Sequence, residues 1–76
     1  MHTPSNNERL RALVEASGLS HAAAREVFNR GLGARGYSYS HWRAFFVDPA
    51  SPRFRALRDD MLQHAEKNFG KPKAIA

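Results

Sequence analysis

At 76 residues and with no cysteine, the chain makes one domain around one core, without disulfide staples or thiolate metal sites. Twelve lysines and arginines against seven acids give a formal net charge of +5, and nine of those cations are arginine, the side chain suited to bidentate phosphate or guanine contact. No apolar run approaches the ~18 residues of a membrane span and Met1 to Glu8 is polar, so a soluble, cytoplasmic protein without a leader peptide is expected.

The chain reads as four helices in an all-α compact domain spanning 1–76. Ser5 and Glu8 have capping-box spacing, and Leu10, Leu13 and Val14 follow at helical intervals before Ser17 and Gly18, which predicts a helix over about 6–17. Ser20 opens a second, over about 21–30, whose buried stripe is Ala23, Ala24, Val27 and Phe28. Gly31 is placed to stop it, because glycine takes the left-handed conformation cheaply. Gly31, Gly33 and Gly36 make the next segment a loop. Ser38 then caps a third helix over about 39–47, with Trp42, Phe45 and Phe46 inward, closed by Asp48 and Pro49. Ser51 followed by Pro52 reads as an N-cap and N1 proline, opening a long C-terminal helix over about 52–69. Its stripe would be Phe54, Leu57, Met61, Ala65 and Phe69, and Gly70 and Pro72 would end it before a tail at 71–76.

The chemistry-bearing motifs are few. Gly31-x-Gly33-x-x-Gly36 matches the dinucleotide fingerprint literally, but that mechanism needs a strand before it and a βαβ unit around it, so a flexible loop is expected. His2, His21, His41 and His64 form no pair at metal-ligand spacing, and no metal or other cofactor is expected. Asp59 and Asp60 are helix neighbours pointing about 100° apart and cannot act as a carboxylate dyad, so catalysis is not expected.

Charge is the informative feature. Between Asn29 and Arg58 the chain carries Arg30, Arg35, Arg43, Arg53, Arg55 and Arg58 against Asp48 alone. With the three aromatics of the third helix inward, Tyr39, Ser40, His41 and Arg43 point outward, with Ala44 at the edge; such polar groups suit base edges. Arg53, Arg55 and Arg58 would sit at the N-terminus of the fourth helix, where cations oppose the helix dipole unless a phosphate is near. A solvated face neutralised by Asp48, Asp59 and Asp60 is the competing reading.

Gly18-Leu19-Ser20, the alanine-rich helix after it, a turn, and Ser40-His41-Trp42 resemble the helix-turn-helix of Cro/repressor-type (XRE-like) regulators of phages and plasmids. Arg43 stands where that family usually has glutamate, and the turn is longer, with three glycines. The resemblance covers roughly Leu10 to Phe69 and implies a positioning helix over Ser20 to Phe28 and a recognition helix over Ser38 to Phe46. Ser38, Tyr39, Ser40, His41 and Arg43 would then lie nearest the bases, and Arg30, Arg35, Arg53, Arg55 and Arg58 would clamp phosphates. Many such regulators are homodimers, and Met61, Leu62, Ala65 and Phe69 of the last helix would supply the interface.

The expected function is a sequence-specific, double-stranded-DNA-binding transcriptional regulator, as a repressor of phage, plasmid or bacterial origin. The alternative is a protein-interaction module, inhibitor or antitoxin, using the face from Tyr37 to Phe46 as aromatic hot spots. RNA binding is supported only by charge and aromatics, and a membrane-surface role is disfavoured by acids on the polar face of the last helix.

Overall fold

The computed structural model describes residues 3–70; the tail at 71–76 lies outside them. The described chain is all-α: α1 spans Asn6–Ser17, α2 His21–Asn29, α3 Tyr39–Ala44 and α4 Asp59–Phe69, with one 3-10 turn at Gly33–Arg35. α1 and α2 both pack against α4, and α3 lies against α2.

The first three helices start where their hydroxyl caps dictate. Ser5 Oγ accepts from Glu8 N while Glu8 Oε1 accepts from Ser5 N at 2.8 Å, a complete capping box. Ser20 and Ser38 accept from Ala23 N and His41 N, each at 3.2 Å. α1 ends on Gly18 in the left-handed region, and Gly31, just past the α2 cap, has a φ of 85°.

Phe28 is the centre of the core. It is fully buried and its ring meets Trp42 at 5.1 Å, His64 at 5.5 Å, Tyr37 at 5.6 Å and Phe45 at 6.4 Å between centroids. Leu10, Leu13 and Val14 of α1 and Met61, Leu62 and Ala65 of α4 complete the apolar cluster, with Leu57 contributed by the segment before α4. Ala24 and Ala65, both without exposed surface, let the helix backbones approach closely.

Two helix boundaries differ from the sequence expectation. α3 stops at Ala44 rather than near residue 47, because Phe45 N and Phe46 N tighten onto Trp42 O and Arg43 O. The larger difference is α4, which begins at Asp59 and not at Pro52. Residues 48–53 are a chain of turns: Ser51 N donates to Asp48 O, Phe54 N to Ser51 O, and Ser51 Oγ accepts from Arg53 N. Residues 54–58 carry no helix at all.

The cause is a pair of asparagines at the start of α1. Buried Asn7 donates through Nδ2 to Phe45 O at 3.0 Å and Arg55 O at 2.8 Å, and its Oδ1 accepts from Leu57 N at 2.9 Å. Beside it, Asn6 Nδ2 donates to Leu57 O at 3.0 Å and Asp59 Oδ1 at 2.7 Å. Arg55 N meanwhile donates to Ala44 O at 3.1 Å. The main-chain groups that a helix from Pro52 would need are thus already paired elsewhere, which outweighs the local start signal of Ser51 and Pro52. Asp59 and Asp60 occupy the first turn of α4, in accord with its dipole; Arg53 and Arg55 lie outside that helix, while Arg58, its N-cap residue, still stands at the positive end.

The other two asparagines fasten the opposite end. Asn29 Oδ1 accepts from Tyr37 N at 2.9 Å and its Nδ2 donates to Tyr37 O at 3.0 Å, folding the 30–38 connection back on α2. Asn68 Nδ2 donates to Val27 O at 2.9 Å and Arg30 O at 3.0 Å, and His64 Nε2 donates to Phe28 O at 2.6 Å. These α4 side chains satisfy carbonyls at the C-terminal end of α2.

Replacing Asn7 with alanine strands Phe45 O, Arg55 O and Leu57 N at once. The expected loss is about 2–4 kcal/mol, read as a lower urea midpoint at unchanged slope. Asn7→Asp keeps the acceptor for Leu57 N but loses both donors, so it also destabilises. A shift below about 1 kcal/mol in both variants would show that the clamp does not hold the segment.

Candidate functional site

α3 is short but sharply two-sided. Trp42 is fully buried and Phe45 nearly so, which turns Tyr39, Ser40, His41 and Arg43 to solvent, with Tyr39 47% exposed. Ala44, read as an edge position, is buried, with its carbonyl held by Arg55 N. Ser38 is exposed, but its oxygen is committed to capping His41 N. The outward residues expected near the bases therefore share one face, with Ser38 at its root.

The non-helical segment before α4 brings arginines to that face. Tyr39, Ser40, His41 and Arg43 line an open groove of about 470 Å³ together with Ala44, Val47, Arg53 and Arg55. No acidic residue lines it. Among the described residues, Arg43, Arg53 and Arg55 make no ion pair with an acid. Three guanidiniums around one groove without a countercharge give a locally positive surface.

The remaining predicted phosphate ligands divide. Arg58 pairs with Asp60 at 3.2 Å and lines a neighbouring groove that shares Arg55. Arg30 and Arg35 are exposed on the connection between α2 and α3, and neither lines the α3 groove. That connection runs over residues 30–38 and contains the 3-10 turn; the Gly31-x-Gly33-x-x-Gly36 match lies in it, with no strand before it.

The expected dimer interface is not a surface. Met61, Leu62 and Ala65 are buried in the core against α1 and α2, and Phe69 is half-buried against the same cluster. The stripe that looked free for a second copy is the face on which this chain packs itself. The aromatic face of the interaction-module reading is likewise largely spent. Tyr37 meets Phe28 edge-on and packs tilted on Phe45 (5.4 Å), and Phe46 packs on His21 and Trp42, both at 4.9 Å.

Sequence reasoning missed Arg11. It projects from α1, outside the arginine-rich segment, and donates through Nη2 to Phe46 O at 2.7 Å. It lines a notch of about 220 Å³ with Val14, Glu15, His21, Arg43 and Phe46. Only the tertiary approach of α1 to α3 shows this, and no local pattern announces it. Within the notch, His21 Nδ1 accepts from Trp42 Nε1 at 3.2 Å, which fixes its neutral tautomer. Burial holds the His21 pKa below its ordinary 6.5, with Arg43 and then Arg11 adding to the effect.

Among the described residues, no three histidine or acidic side chains gather as a metal site, and no helix is long and apolar enough to cross a membrane. The lowered His21 pKa sets a sign for stability. The folded state resists protonation more than the unfolded chain, so the His21 contribution is full above pH 6.5 and is lost as pH falls from there through its lower folded pKa. Urea midpoints taken between about pH 7.5 and 5 should fall with pH, and His21→Asn, which keeps an acceptor for Trp42, should flatten that fall. Equal slopes in the two proteins would contradict the assignment. No protein-family model, curated protein or solved structure matches the chain.

Proposed function

We propose that the protein binds double-stranded DNA through α3 and the adjoining arginine segment, and acts in that way as a transcriptional regulator. One observation carries the reading: Arg43, Arg53 and Arg55 surround a groove whose other polar rim is Tyr39, Ser40 and His41, with no acid among its lining. Phosphates on either side of a groove of the duplex would meet the guanidiniums, while the outward side chains of α3 reach base edges.

Dimensions favour DNA over double-stranded RNA. An α-helix with its side chains is about 10–12 Å across, which the B-form major groove, about 12 Å wide, admits. The deep, narrow major groove of an A-form helix does not. The resemblance to Cro/repressor-type regulators agrees with this use of α3. The mode of assembly differs, because the α4 stripe is core, so the reading needs no second copy and no palindromic site.

Binding to a labelled duplex pool, titrated from about 50 to 300 mM salt, tests it. The phosphate contacts of Arg53 and Arg55 predict a log–log salt slope of about −1.8. Arg53→Ala and Arg55→Ala should each remove about one unit of that slope and weaken all sequences alike, whereas Arg43→Ala should relax sequence preference. Arg30→Ala, away from the groove, should leave both unchanged. No duplex binding at the lowest salt would overturn the reading and leave a protein partner as the occupant of this face.

A further inference from the structure

The notch beside the α3 groove has its own chemistry. It is smaller than the about 300–1,000 Å³ of sites that enclose drug-sized ligands, so it suits a small group and not a nucleobase or peptide. Two guanidiniums reach it from different helices, Arg11 from α1 and Arg43 from α3, and a third basic group, His21, belongs to α2. Glu15 of α1 is the one acid in the lining. Arg11, Arg43 and Glu15 sum to one positive charge, and a protonated His21 would make two. On α2 itself the nearest cation, Arg25, is turned away to donate to Tyr37 O.

Arg11 is held in place by Phe46 O, which uses one of its five N–H donors and leaves the others for a ligand. Arg43 lines both the notch and the α3 groove, so a strand lying along the groove has its neighbouring phosphate at hand for the notch. His21 is poised for change. As a neutral acceptor it keeps Trp42 Nε1–H satisfied, and as an imidazolium it would donate from both nitrogens and lose that bond.

We propose that the notch between α1, α2 and α3 is an oxyanion site, in which Arg11 and Arg43 hold a phosphate group while His21 takes up a proton. The proposal rests on the DNA reading for the source of that phosphate, namely the strand flanking the α3 groove. The coupling is reciprocal: a bound anion favours the imidazolium, and a lower pH favours the anion. Burial first, and then the two flanking guanidiniums, hold the His21 pKa down, and an anion lying between the three groups offsets the guanidinium part of that restraint.

Two arms separate the notch from the groove. In the first, inorganic sulfate is titrated at constant ionic strength, following the Trp42 indole N–H and His21 ring signals by NMR. Sulfate keeps its charge across the pH range, so any pH effect belongs to the protein. The signals should move and saturate, with affinity at least about threefold tighter at about pH 5.5 than at about pH 7.5. Arg11→Gln should weaken binding at least about fivefold, and His21→Asn should abolish the pH effect. In the second arm, duplex DNA should move the same signals, and Arg11→Gln should take about one unit off the salt slope.

Duplex binding with the Trp42 and His21 signals unmoved in both arms would overturn the notch and leave the DNA reading standing. A pH-dependent sulfate response without duplex binding would keep the notch as a site for a free anion and sink the DNA reading. Should His21→Asn fail to fold, the exposed Arg11→Gln still decides the matter, since an unchanged sulfate affinity there removes the proposal.

Discussion

The amide of Asn7 is the constraint on which the rest of the structure depends. One side chain on α1 bonds the end of α3, the middle of the non-helical segment and the residue two places before α4. An apolar core of this size leaves a small domain with little margin, and without cysteine no covalent staple can supply it. The four asparagines of the chain take that part, each bonding main-chain groups that no neighbouring helix could reach. Amides suit the task because each offers a donor pair and an acceptor on one short arm, matching a strip of backbone that has both kinds of group unpaired.

The same constraint makes the basic groove. If residues 52–58 were helical, Arg53, Arg55 and Arg58 would be arranged around the first turns of α4. Non-helical and pinned to α1, the segment lies along α3 instead, and Arg55 N on Ala44 O sets the two in register. Charge placement here follows from hydrogen bonding in the backbone more than from the positions of the arginines in sequence. The core contributes by orientation: Trp42, packed on Phe28 at 5.1 Å with the rings tilted by 52°, turns one side of α3 inward.

Much of this was legible in the residues. Serine caps with their first-turn partners marked three helix starts, glycine marked the ends of the first two, and the all-α class followed. Most apolar stripe positions turned out to be core, because helical periodicity reports burial directly. The failures share one physical origin. Ser51 and Pro52 form a strong local start signal, and its defeat required partners about fifty residues away, which no window on the sequence contains. Met61, Leu62, Ala65 and Phe69 were read as a surface because the resemblance implied a dimer through the last helix, whereas that stripe packs on the chain's own core. Arg11 escaped because its significance comes from Phe46 and His21, which approach it only in the folded chain. The face of α3 was legible for a plainer reason: its inward aromatics leave only one polar side.

The span of the Asn7 clamp also bears on how the protein is made. Its bonds reach Phe45, 38 residues on, and Leu57, 50 residues on, so α1 can form early on the ribosome yet cannot complete the clamp until Leu57 has emerged. At about 5–20 residues per second that interval lasts a few seconds. During it, Arg53 and Arg55 are not yet fixed beside α3, and α4, which follows Leu57 in the chain, is not yet free to close the core. The arginines of this region are therefore made before the contacts that place them beside α3 can all be present. Translation order thus separates the appearance of charge from the appearance of a surface able to use it.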